Sequence, residues 1–191
     1  MKLKDGMLLY HGSYLEINTI DLQKGSPARD FGKGFYLTSD SEQARSFIKS
    51  SIRKAEDIGV IPPGQNYGFV TVFRYTDQGE NLSVYEFASA DKEWLWYISS
   101  NRRAKLSALF QGRMNTDLKN ADIFIGKVAN DTTNRVLAAY LNGLYGDIAS
   151  DEAAKIAIMQ LMPERLVDQF CFRSEKAVRT LQKVETIKYG F

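Results

Sequence analysis

The chain has one cysteine and one histidine in 191 residues. One cysteine excludes an internal disulfide framework and suits a reducing compartment. With a single histidine beside it, a zinc site would need several carboxylates, so no metal is expected. An excess of one charge is also missing. The 25 Lys and Arg against 23 Asp and Glu leave +2, which argues against a bulk electrostatic grip on nucleic acid and leaves room only for a local basic patch. No apolar run approaches membrane-spanning length. The start, Met1-Lys2-Leu3-Lys4-Asp5-Gly6, has too little apolar sequence for a signal peptide. There is no internal repeat and no low-complexity tract. The expectation is a cytoplasmic protein with no membrane partner.

Several catalytic signatures are absent too. Asp30-Phe31-Gly32 spells the kinase metal-binding triplet, but no His-Arg-Asp accompanies it. Gly32-Lys33-Gly34 is not a phosphate loop, because Gly34 stands where Ser or Thr is needed. No Gly-x-Gly-x-x-Gly occurs. His11 has no Gly-x-Ser-x-Gly elbow to join in a Ser-His-Asp triad.

What is present is enough apolar residue, 44%, for one core, read as a single domain over residues 1–191. Strands are expected at 7–10, 35–38, 67–75, 82–87, within 121–128 around Ile123-Phe124-Ile125, at 167–172 and at 184–189. Ser39-Asp40-Ser41-Glu42 reads as a capping box, followed by a helix with Ala44, Phe47, Ile48, Ile52 and Ala55 on one face. Gly59 and Pro62-Pro63 end it. Further helices are expected over 91–103 with Trp94, Tyr97 and Ile98, around Val136, Leu137, Tyr140 and Leu141, over 151–161 with Ala153, Ile156 and Ala157 inward, and from 174 through Leu181. Strands and helices mix without strict alternation, which fits α+β. Cys171 reads as a buried core thiol. Lys49, Arg53 and Lys54, and likewise Arg102, Arg103 and Lys105, read as solvated basic faces.

Two short runs carry the functional signal. Met7-Leu8-Leu9-Tyr10-His11-Gly12-Ser13 places the lone histidine before a glycine, and Phe31-Gly32-Lys33-Gly34-Phe35-Tyr36 places a tyrosine after a glycine turn. The two runs resemble the first signature strands of the poly-ADP-ribose polymerase catalytic domain. They also resemble a bacterial family of uncharacterised ADP-ribosyltransferase-like proteins, the DUF3990 type. That second similarity extends to Asp122-Ile123-Phe124-Ile125-Gly126-Lys127-Val128-Ala129-Asn130-Asp131 and Asp168-Gln169-Phe170-Cys171-Phe172.

The resemblance implies an ADP-ribosyltransferase-like fold, with split antiparallel sheets, surrounding helices and an NAD crevice between. It implies NAD-dependent mono-ADP-ribosyl transfer to a protein or nucleic acid, with nicotinamide released and NAD as co-substrate. His11 would hydrogen-bond a ribose hydroxyl, since a neutral imidazole both donates and accepts. Gly12 would approach the nicotinamide carboxamide, where a missing Cβ helps, and Ser13 would add a hydroxyl. Tyr36 would stack on nicotinamide. Gly32 and Gly34 would turn the chain under the ligand, Arg29 would reach the pyrophosphate, and Thr38 and Ala44 would line the site. The family's catalytic glutamate stabilises oxocarbenium character at the ribose. Its position here is taken by Gln169, which keeps an acceptor oxygen and loses the charge. That departure counts against chain elongation and leaves single transfer. Asp168 or Glu175 could supply the missing charge, although strand alternation should point Asp168 away from Gln169.

The structural readings stand beside these. His11 could simply end a strand and bond a backbone carbonyl, and Tyr36 could be ordinary core. Two other functions stay open: a weak or inactive NAD- or ADP-ribose-binding module, and the toxin of a toxin–antitoxin pair whose antitoxin covers the crevice.

Overall fold

Period-two patterning becomes strand in seven places in the computed structural model, which describes residues 2–110, 112–127, 131–162 and 166–191. The strands are β1 (Leu8–Ser13), β2 (Phe35–Thr38), β3 (Tyr67–Tyr75), β4 (Val84–Glu86), β5 (Ile123–Lys127), β6 (Asp168–Phe172) and β7 (Leu181–Gly190). They lie in the order β4-β5-β6-β2-β1-β3-β7. The sheet is antiparallel except for β4 beside β5. A parallel pair needs a crossover, and the chain between those two strands supplies one through α2 (Lys92–Arg102). Val128 and the rest of its run through Asn130 lie outside the described residues.

The α+β expectation holds, while the expected pair of sheets is corrected to one hydrogen-bonded sheet. β1 and β2 meet at a single register pair, Tyr10 with Thr38. Elsewhere the ladders are long: β1 pairs β3 along its whole length, and β3 pairs β7 from Tyr67 to Tyr75. The sheet is therefore one object with a narrow seam between β4-β5-β6-β2 and β1-β3-β7.

Helices cover one face. α1 (Ser41–Asp57) lies over β1 and β3, burying Ala44, Ile48, Ile52 and Ala55 with Val70. Phe47, expected on that stripe, is 41% exposed under the Lys54 ammonium. The helix starts differently too: the Asp40 carboxylate, not Ser39, accepts from the Glu42 and Gln43 amides. A carboxylate there also meets the positive end of the helix dipole.

Beyond the seam, α2 is buried on nearly all sides from Trp94 to Ser100, because it is the centre of a helical layer. Trp94, Leu95 and Ile98 are fully buried, and the Trp94 indole donates to the Lys127 carbonyl at 3.2 Å. Around α2 pack α3 (Ser107–Phe110), α4 (Asp131–Leu141) and α5 (Asp151–Leu161). α5 turns Ala153, Ala154, Ala157 and Leu161 inward and leaves Ile156 exposed, so the expected inward Ile156 is corrected. The sheet's other face is closed by Ile17, Ile20 and Leu82 and by α6 (Glu175–Arg179) through Ala177. α6 stops short of Leu181, which begins β7. Among the described residues, no helix is long and apolar enough to cross a membrane.

Candidate functional site

β1 and β2 part just past the Tyr10–Thr38 pair, and the His11 side chain fills the gap. Its Nδ1 lies 2.8 Å from the Tyr36 carbonyl oxygen. A carbonyl only accepts, so Nδ1 carries the proton. The imidazole thus makes the cross-strand bond that the diverging backbones do not. The ring stacks on Phe35 with centroids 4.6 Å apart. Nε2 is then a pure acceptor, and among the described residues it receives no hydrogen bond. Burial, followed by the nearby Arg29 charge, holds the His11 pKa below its ordinary 6.5 against the upward pull of the Tyr36 bond.

A neutral, half-buried histidine has a consequence for stability. Below its ordinary value the unfolded chain binds a proton that the folded chain resists. The His11 contribution is therefore intact above about pH 6.5 and is lost as pH falls toward the depressed folded value. Melting curves of wild type and His11→Gln across pH 5–8 should diverge above pH 6.5 and converge below it. Parallel curves would contradict this.

Tyr36 itself supplies the carbonyl to which His11 donates, and its ring alternates with Phe35 to pack on the α2 side of the sheet. Its hydroxyl donates to the Gly32 carbonyl at 2.6 Å and accepts from the Phe31 amide at 3.1 Å. Gly32 makes this loop possible, with φ +76. Burial, with Cys171 and Asp30 alongside, raises the phenol far above its ordinary value. Tyr36 is thus a pinned neutral ring and not a proton donor or base at neutral pH. The Cys171 thiol is pushed by burial up to about 12, so it stays protonated, as a core thiol should.

Gln169 sits on β6 across β2 from His11's strand, in register with Thr38. The motif residues thus occupy three adjoining strands, β6, β2 and β1. The Gln169 amide nitrogen reaches the Asp30 carboxylate at 3.2 Å and the Lys127 carbonyl at 3.5 Å. Asp30 in turn takes Arg102 Nη2 at 2.6 Å and Nε at 2.8 Å. Of the two carboxylates expected to serve Gln169, Asp168 pairs with Lys127 at 3.0 Å, and Glu175 is exposed at the start of α6. The carboxylate at Gln169 is Asp30, which sequence reasoning missed. Its only local signal was the Asp30-Phe31-Gly32 triplet.

The remaining expected residues divide. Arg29 is exposed and close enough to His11 to act on its titration. Among the described residues it makes no ion pair, so its guanidinium is available at the rim. Ser13 is buried and accepts from the Leu15 amide at 3.4 Å. Thr38 is buried against Gln43 and accepts from the Asp40 amide at 3.1 Å. Gly12 and Gly34 serve the packing itself. A Cβ on Gly12 would lie 1.8 Å from the Ala44 carbonyl oxygen, and one on Gly34 would lie 2.5 Å from Cys171 Sγ. Their missing side chains admit α1 and β6, where a ligand was expected to benefit. Two surface cavities, about 360 and 440 Å³, lie away from this seam. One is lined by Lys33 and Arg173, the other by Lys49, Arg53 and Phe191.

An α+β sheet with one histidine wedged into its seam defines the class of fold. The profile of the family described as protein of unknown function (DUF3990) matches residues 7–183, and the chain belongs to that family. No curated protein matches it.

Proposed function

We propose that the seam is an NAD site and that the chain transfers ADP-ribose once from NAD to a macromolecular acceptor. The observation that carries this reading is the His11 imidazole, fixed by Tyr36, with its free Nε2 lone pair at the split and Gln169 two strands away. A histidine, a tyrosine and a glutamate-position residue on adjoining strands is the arrangement the polymerase resemblance calls for. NAD would pass through the split, so that His11 Nε2, on the Phe35 side, accepts from a ribose hydroxyl and the pinned Tyr36 ring, on the α2 side, bounds the nicotinamide pocket, with Arg29 meeting the pyrophosphate. NAD brings the activated bond: the C1′–N bond breaks with its electron pair leaving on nicotinamide, and the acceptor's nucleophile bonds C1′ and gives up its proton.

A second reading rests on Gln169. Without a charge at the family's catalytic position, the same site would bind NAD or ADP-ribose and turn it over weakly or not at all. A calorimetric titration with NAD followed by a nicotinamide-release assay separates the two. Transfer predicts binding and release by the wild type, with release reduced about 10²-fold in His11→Ala, the scale of losing one hydrogen bond that works in the transition state. Binding without release leaves the module, and no binding removes both. Labelled NAD in a cell lysate then distinguishes protein from nucleic-acid acceptors. For the toxin alternative, bacterial cultures expressing wild type should grow more slowly than those expressing His11→Ala.

A further inference from the structure

We propose that Asp30 is the positioning residue for Gln169, holding its amide so that the oxygen faces the reacting ribose; this rests on the ADP-ribosyl-transfer reading. The orientation follows from the neighbours. A glutamine amide has one donor arm and one acceptor arm. On one side of Gln169 lie the Asp30 carboxylate at 3.2 Å and the Lys127 carbonyl at 3.5 Å, and both accept. The nitrogen must face them, which sends Oε1 the other way. Among the described residues, Oε1 receives no hydrogen bond.

Asp30 is itself held from several sides. Its side chain is 7% exposed, its Oδ1 takes the Arg102 fork, and its Oδ2 accepts from the Gln169 amide. Its backbone carbonyl accepts from Asn101 Nδ2 at 2.8 Å. α2 therefore fixes Asp30, and Asp30 fixes Gln169. A carboxylate on the amide N–H side also favours the resonance form with more negative charge on Oε1. The charge that glutamine lacks is in this way supplied one residue removed, from the loop before β2.

The idea makes a reciprocal prediction. In Asp30→Asn, the introduced amide turns its nitrogen to Gln169, the Gln169 amide rotates, and the site presents a donor where it needs an acceptor. In Gln169→Glu, two carboxylates face each other at about the same separation and repel. In the double variant, the asparagine introduced before β2 donates to the glutamate introduced on β6, and the outward oxygen is again an anionic acceptor. Nicotinamide release from NAD, measured for all four proteins at pH 7.5, should fall about 10–100-fold in kcat for Asp30→Asn, the scale on which outer-shell partners that orient metal ligands matter, with KM little changed. Gln169→Glu should fall as well. The double variant should exceed both single variants at least tenfold. Thermal unfolding of each protein separates misfolding from mispositioning. A folded Asp30→Asn at wild-type rate, or a folded double variant no better than the singles, overturns the proposal.

A silent wild type would instead overturn the transfer reading, and the orientation is then read without activity. In ¹⁵N–¹H spectra, the Gln169 side-chain amide protons should exchange slowly in wild type and lose that protection in Asp30→Asn. Identical exchange in the two proteins would overturn the orientation itself.

Discussion

Arg102→Met should lower folding stability by about 3–5 kcal/mol, the cost of stranding one partner of a buried ion pair. The Asp30 side chain is 7% exposed and Arg102 23%, so solvent screens this pair little. Methionine keeps much of the arginine stem's packing, so the loss reports the guanidinium. It also removes the bond to Asn134 Oδ1 at 2.8 Å, a smaller term because that contact is exposed. Removing the second charge should repair most of the damage: Arg102→Met with Asp30→Asn should recover more than half of it in a urea titration. The exposed Arg179–Glu80 pair is the contrast, and Glu80→Gln should cost at most about 1 kcal/mol. A loss under about 1 kcal/mol for Arg102→Met would show that the pair is not the brace described here.

Gly12→Ala should cost about 3 kcal/mol, the upper end of ordinary overpacking. The added methyl would stand 1.8 Å from the Ala44 carbonyl oxygen and 2.8 Å from its carbon. Both obstructing atoms are backbone, so no rotamer change relieves the clash. The first turn of α1 must lift from β1, uncovering part of the stripe from Ala44 to Ala55. Gly190→Ala, with nothing within 4 Å of the new atom, should stay within about 0.5 kcal/mol of wild type. Chemical denaturation of the two variants side by side decides the matter, and equal stability would refute the close approach.

Local pattern made some of this legible. The stripe of α1 and the apolar Ile123-Phe124-Ile125 run could be read because helix and strand periods are short-range properties. Phe47 reads as part of the stripe because it lies one position from it, yet it stands on the exposed flank under Lys54. Contacts between distant residues were not legible. Gln169 and Asp30 are 139 positions apart, so the sequence offers Asp168 as the nearest charge; alternation already points it away from Gln169, and it pairs with Lys127. Arg102 and Arg103 read as a solvated face because their partners were unseen. Arg102 finds Asp30, and Arg103 closes the end of α4 on the Leu141 carbonyl at 2.7 Å. Of the bland reading of His11, the bond to a carbonyl describes its Nδ1, the strand end does not hold because β1 runs on to Ser13, and the functional reading concerns its other nitrogen.

Because the two parts of the sheet share one residue pair between β1 and β2, they are a pair of plates on a thin neck. Twisting one plate against the other strains few backbone bonds, so the side chains packed across the split, Leu9 and Phe73 with Ile125 and Phe170, carry the load together with the imidazole bridge. A cargo lodged there would grip both plates at once, so its arrival would stiffen the whole molecule far beyond the few atoms it touches.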